Sequence, residues 1–176
     1  MMHIGETAIS HSSLESCQSP NRHSTTIPMT KPEQATSLHA GGSNCAQSVL
    51  CAFTNELGMD TAQAHRLATG LGAGLGRRQH LCGAVNGGAM ALSAAFGNES
   101  GADLVAKERT YEAVRAYVDA IEAEFGSIDC RTLLGVDLNT PEGKAELKQR
   151  GLSASVCDKL IARCAEEVDR ILKDRH

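Results

Sequence analysis

The chain has 176 residues, enough for one self-supporting core, with 41% hydrophobic and 22% charged residues and a formal net charge of −4. Lys and Arg are interspersed with Asp and Glu, which leaves no basic stripe for a nucleic-acid duplex, and aromatics at 3% with no Trp are too few to stack bases or sugars. No run approaches the roughly 20 apolar residues that span a bilayer, and the first 20 residues lack the basic-then-apolar order of a secretory signal.

The expectation is therefore a cytoplasmic protein without membrane insertion. In that compartment its seven cysteines are reduced, metal-bound or catalytic rather than structural disulfides. Residues 1–40, rich in Ser, Thr, His and Pro and lacking a sustained apolar period, read as a disordered extension. Met29-Thr30-Lys31-Pro32 also reads as a start, which would put residues 1–28 and Cys17 upstream of the protein. Residues 41–176 read as one helical domain.

In that domain Ser43 is a candidate N-cap, and Val49, Leu50, Phe53 and Leu57 follow at helical steps until Gly58. Asp60 and Gln63 resemble a capping box opening a short helix that includes His65. Gly70 to Gly76 is too glycine-rich for a helix and reads as a loop that runs close to the cysteine site with free N–H groups. It lacks the strand context and the Lys-Ser/Thr of a phosphate loop, although Arg77 and Arg78 follow it.

Residues 81–96 form a helix of small side chains, against which another helix, or a second subunit of a homodimer, can pack closely. A long helix over 102–125 carries Leu104, Tyr111, Val114, Val118, Ile121 and Phe125 as its expected buried stripe, and Gly126 stops it. A short segment from Cys130 to Leu134, a helix opened by Thr140-Pro141, and a last helix over 155–172 complete the chain. With no convincing alternating strand, the class is all-α, a compact bundle of about five to six helices.

Cys45, Cys82 and Cys157 each fall near the start of an expected helix, and Cys130 follows the Gly126 break. Helix starts favour the thiolate, the form that binds metal or attacks. Their spacing matches no zinc ribbon or thioredoxin site. Cys51 and Cys164, in mid-helix, read as small buried hydrophobes. His80, two residues before Cys82, is a candidate ligand or proton partner. Arg77, Arg78 and Arg131 are candidates to offset negative charge, and Asp129 reads as a cap.

Gly42-Ser43-Asn44-Cys45-Ala46-Gln47, Cys82-Gly83-Ala84-Val85-Asn86-Gly87, Phe125-Gly126-Ser127-Ile128-Asp129-Cys130-Arg131-Thr132-Leu133-Leu134-Gly135 and Val156-Cys157 together resemble the bacterial redox-active protein family defined by a C…CGAxxG…C…C pattern. The resemblance implies a helical domain with four functional cysteines, Cys45, Cys82, Cys130 and Cys157, inferred to be redox-active. A similar domain in some cytochromes is associated with an iron–sulfur centre. Four thiolates complete the ligand set of such a cluster, with N–H groups around Gly83 and Gly87 to contact it, for electron transfer or redox sensing with a partner protein. The same cysteines would also serve a thiol/disulfide oxidoreductase or switch, or a structural zinc site in an adaptor. These alternatives stay open in the sequence.

Overall fold

The structure, a computed structural model, describes residues 28–174. The expectations for residues 1–27, including Cys17, lie outside the described residues. Eight α-helices are described: α1 Lys31–Ala40, α2 Cys45–Cys51, α3 Thr61–Ala68, α4 Gly83–Phe96, α5 Leu104–Phe125, α6 Cys130–Leu134, α7 Pro141–Gln149 and α8 Asp158–Lys173. The extended pairing described between segments is an isolated antiparallel bridge, Leu81 to Asp129. Among the described residues no helix is long and apolar enough to cross a membrane.

The first correction is α1, which occupies a stretch expected to be disordered. It has almost no apolar period, burying Ala35 with Leu38 half-covered. Its order comes from its ends and from its neighbours. Thr30 and Glu33 form a reciprocal capping box and Pro32 sits in the first turn. Lys31 Nζ donates to the Ala52 carbonyl at 2.6 Å and lies over the Phe53 ring. The helix rests on α8 and α2.

Other differences are local. Asn44, not Ser43, caps α2, which ends at Cys51 rather than reaching Gly58. The buried stripe of α5 is Ala106, Thr110, Tyr117 and Ile121, while Leu104 and Tyr111 are exposed. Val114, Val118 and Phe125 do pack on the core. The last helix opens through a π-turn, Ser153–Cys157.

The core gathers Val49, Leu50 and Phe53 of the α2 region, Val85 and Leu92 of α4, Tyr117 and Ile121 of α5, and Leu160, Ile161 and Val168 of α8. Each such side chain contributes about 1.5–3 kcal/mol through burial. A smaller cluster of Cys130, Leu134, Val136 and Leu152 lies under the loops.

The small residues of α4 serve contacts within the chain. A Cβ on Gly87 would collide with the Ala46 backbone of α2, and one on Gly88 with the Tyr117 ring of α5. Close approach of α4 to α2 is thus written into one glycine. Gly87→Ala is expected to destabilise the fold by about 1–3 kcal/mol through overpacking. A urea midpoint unchanged from the parent protein would contradict this.

Candidate functional site

Each of the four cysteines stands at the start of a helix. Cys45 is the first residue of α2, behind an Asn44 whose Oδ1 accepts from the Ala46 and Gln47 N–H groups at 3.0 Å. Gln47 Oε1 accepts from the Asn44 N–H in return and its amide binds Thr69, so both motif neighbours act as a cap. Cys82 is the N-cap of α4. Cys130 opens α6 behind Asp129, whose carboxylate accepts from the Thr132 N–H as expected of a cap. Cys157 ends the π-turn and leads into α8.

Backbone pairing ties two of these starts together. The Cys82 N–H donates to the Ile128 carbonyl and the Cys130 N–H to the His80 carbonyl, both at 2.8 Å, around the Leu81–Asp129 bridge. His80 therefore serves Cys130 through its backbone, with the residue itself exposed. His65 is exposed as well and meets Ser43 and Gln47. Arg77 and Arg78 are exposed, and Arg131 pairs with Asp137 and Gln79.

All four cysteines line one small cavity of about 20 Å³, with Gly83, Ala84, Leu133, Leu134, Val156 and Leu160 as its other walls. Gly83 sits in this wall against the Cys45 side chain, whereas Gly87 belongs to the α2–α4 contact. Cys82 and Cys130 are buried, Cys45 and Cys157 only partly so. Cys51 and Cys164 are buried elsewhere in the core, as expected of small hydrophobes.

The electrostatics of the cavity favour neutral thiols. The neighbouring Cys157 and then burial push the Cys45 thiol well above its ordinary range, with His39 acting against them. Burial, then Cys45, pushes Cys82 up to about 11, while the Ala84 and Val85 N–H dipoles pull the other way. Burial and the other two thiols raise Cys130 to about 12.

Four thiols are the right donor set for an iron–sulfur cluster or for zinc. The cavity, however, is about the size of one water molecule. Among the described residues no group of three or more His, Cys, Asp or Glu side chains is arranged to hold a metal ion. As folded here the walls do not fit a cluster, which would require the four helix starts to move apart.

Two features escaped sequence reading. His39, from the last turn of α1, reaches the Asp158 carboxylate, its Nδ1 lying 2.6 Å from Asp158 Oδ1. Hydrogen bonding to Cys45, then to Asp158, raises it to about 9. No local signal marks His39, because its partners are brought by α2 and α8.

The second feature is the 70–79 segment, where Ala73, Gly74, Leu75, Gly76, Arg77 and Gln79 all adopt left-handed backbone. For the four non-glycine residues this costs roughly 1–2 kcal/mol each. The N–H groups expected to be free are spent internally, with Gly76 donating to Gly70, Gln79 to Ala73 and His80 to Gly74. The segment delivers Gln79 to a buried position. There its amide nitrogen donates to the Val136 carbonyl at 2.8 Å, and its oxygen accepts from Arg131 and the Leu138 N–H.

The family model described as "Putative redox-active protein (C_GCAxxG_C_C)" matches residues 43–171, so the chain belongs to that family. The description writes its central element GCAxxG, whereas this chain reads Cys82-Gly83-Ala84-Val85-Asn86-Gly87, with Cys ahead of Gly. Neither the curated proteins nor the solved structures gave a match.

Two outcomes follow from this geometry. Gln79→Ala is expected to cost about 2–4 kcal/mol, because it leaves buried backbone groups unpaired, and Gln79→Gly about 1 kcal/mol less because glycine relieves the left-handed strain. Equal urea midpoints for the two variants would count against the strain. The raised His39 stabilises the fold fully below its ordinary value of 6.5, and that contribution fades as pH rises through about 9. The stability gap between the parent protein and His39→Gln should therefore narrow over that window.

Proposed function

We propose that this member of the redox-active family works by dithiol–disulfide exchange, with Cys45 and Cys157 as the exchanging pair and Cys82 and Cys130 as the buried pair behind it. The observation that carries the reading is that four cysteines from four separate elements meet at one small apolar cavity. A lone buried cysteine is ordinary packing; four converging on one water-sized space support a redox site.

Within the four, accessibility and contact choose the pair. Cys45 and Cys157 line the same cavity and are its partly exposed members, open to a partner's disulfide. Cys82 and Cys130 sit on backbone that is locked by the bridge around residues 81 and 129. The exchange takes electrons from the dithiol and hands them to an external disulfide, so the implied partner is another thiol–disulfide protein or a small disulfide. The sequence expectation of an iron–sulfur cluster on the same residues has the donor set in its favour and the cavity volume against it, which makes it the rival outcome of the same experiment.

The test begins with protein purified without oxygen and analysed for iron, zinc and acid-labile sulfide, then oxidised with oxidised glutathione and mapped by non-reducing peptide mass analysis. Loss of two thiols with a Cys45–Cys157 linkage is the expected result, and Cys157→Ser should instead trap glutathione on Cys45. Iron with matching sulfide, lost on substitution of any of the four cysteines, would replace exchange by the cluster reading. Stoichiometric zinc would replace it by a structural site.

A further inference from the structure

Charge is unevenly placed along this chain. Residues 61–98 carry Arg66, Arg77 and Arg78 and no Asp or Glu, in a protein whose formal net charge is −4. Arg77 and Arg78 belong to the left-handed 70–79 segment, and both are exposed. Among the described residues neither has a carboxylate partner, whereas Arg131, Arg150, Arg163 and Arg170 are each paired.

The segment is anchored beside the cavity at both ends. At its start, a Cβ on Gly83 would stand 3.1 Å from the Leu71 carbonyl oxygen and 3.2 Å from Cys45 Cβ, so Leu71 and Cys45 share one wall residue. At its end, the Gln79 and His80 carbonyls accept from the Arg131 and Cys130 N–H groups at 3.0 and 2.8 Å. Chain reach alone keeps the Arg78 Cα within about 14 Å of the Cys82 Cα. The nearby acids are engaged: Asp129 by the Thr132 N–H and hydroxyl, Asp137 by Arg131, and Asp158 by His39. The two arginines are left as uncompensated positive charge next to the thiols.

Their presence is not explained by the fold. Arg77 holds left-handed backbone at φ 65°, which glycine would take without a Cβ clash. The hydrogen bonds recorded for Arg77 and Arg78 are made by their backbones, to Gly72, Asn139 and Leu75. Neither guanidinium has a partner inside the protein.

We propose that Arg77 and Arg78 are the recognition site for the substrate of the exchange, and that this substrate is a small anionic disulfide carrying carboxylates beside its S–S bond. The proposal rests on the dithiol–disulfide reading above and names the class of oxidant. A guanidinium presents a planar fork of N–H donors that matches a carboxylate, and it keeps its charge at any physiological pH. Positive potential beside a thiol concentrates anionic reagents and repels cationic ones. A patch of two residues beside partly exposed cysteines suits a small molecule rather than a protein face, which takes about 800 Å² per partner. The carboxylates take no part in the bonds. Two protein thiols and RS–SR give one Cys45–Cys157 disulfide and two RSH, with two electrons and two protons passing to the substrate.

The test oxidises the reduced full-length chain with three small disulfides of graded charge: oxidised glutathione, hydroxyethyl disulfide and cystamine, which are negative, neutral and positive. Each rate is divided by that of the same disulfide with mercaptoethanol, which removes intrinsic reactivity. At low ionic strength, where charge acts over about 30 Å, the normalised rates should fall in that order with a spread of about tenfold. Salt should shrink the spread, and Arg77→Gln with Arg78→Gln should abolish it. Arg115→Gln, which removes a charge from the groove between α4 and α5, should retain it. Arg77→Gly in place of Arg77→Gln relieves the backbone, so a folded variant is available.

A second readout does not depend on exchange. Iodoacetate and iodoacetamide attack the same thiolate, so the ratio of their rates at Cys45, read by peptide mapping, cancels its ionisation and reports local charge. Two positive charges about 12 Å away in water favour the anionic reagent about threefold, which the double variant should lose. Equal normalised rates for the three disulfides, or a spread that survives the double variant, would overturn the proposal and leave the exchange reading intact. If no disulfide yields the Cys45–Cys157 linkage while the alkylation ratio still falls in the double variant, the exchange reading fails and the arginine pair stands as an anion-recognition site.

Discussion

The geometry of the site depends on how closely two helices approach. At Gly87 the α4 backbone lies against the Ala46 backbone of α2, and at Gly83 it lies against the Cys45 side chain. Any side chain at Gly87 would lever the helices apart, and Cys45 and Cys82 would separate with them. The glycine-rich face of α4 is thus a spacing device, and its cost in helix propensity, about 1 kcal/mol per glycine, is offset by tight packing against α2 on one side and Tyr117 on the other. Once α2 and α4 are set, the remaining cysteines arrive by different means. Cys130 is clamped to the chain just before α4 by backbone hydrogen bonds, and Cys157 is carried in at the head of α8.

That difference in attachment divides the four thiols into two kinds. Cys82 and Cys130 are fixed by main-chain pairing, buried, and further restrained through Gln79, which joins Arg131 to residues 136 and 138. Cys45 and Cys157 are held by side-chain packing at helix ends. A disulfide demands Cβ atoms about 3.8 Å apart and a particular torsion, so at least one partner must adjust when it forms. The π-turn at residues 153–157 carries an extra residue per turn, a form of helix that recurs at functional positions. It places the adjustable backbone beside Cys157 while leaving the clamped pair undisturbed.

Much of this was legible in the sequence, for identifiable reasons. Helix ends were readable wherever a cap chemistry marks them: Asp60 before α3, Gly126 after α5 and Thr140-Pro141 before α7 all act as their residue types dictate. The four cysteines that line the cavity were separable from Cys51 and Cys164 because helix-start positions differ from mid-helix positions. The α1 helix was not legible, since its capping box sits in a polar stretch whose burial depends on α8, more than a hundred residues away. The left-handed run was equally hidden. Ala73, Leu75, Arg77 and Gln79 have no intrinsic preference for that conformation, and only the hydrogen bonds made by Gln79 and by the 70–80 backbone hold them there.

His39 shows the same limit at the level of chemistry. Its separation of six positions from Cys45 fits no local motif, and it lies in a segment whose composition alone suggests nothing ordered. It becomes chemically meaningful because α1 docks on α8, which sets Asp158 at one ring nitrogen. In a cavity where neighbouring thiols and burial all oppose negative charge, a cation cannot be supplied from the apolar walls formed by Leu133, Leu134, Val156 and Leu160. It has to enter from the rim, on the side where Cys45 is partly exposed. The capped, weakly amphipathic α1 is suited to that place: it adds little to the core, and its last turn carries the His39 ring to the Asp158 carboxylate at the head of α8.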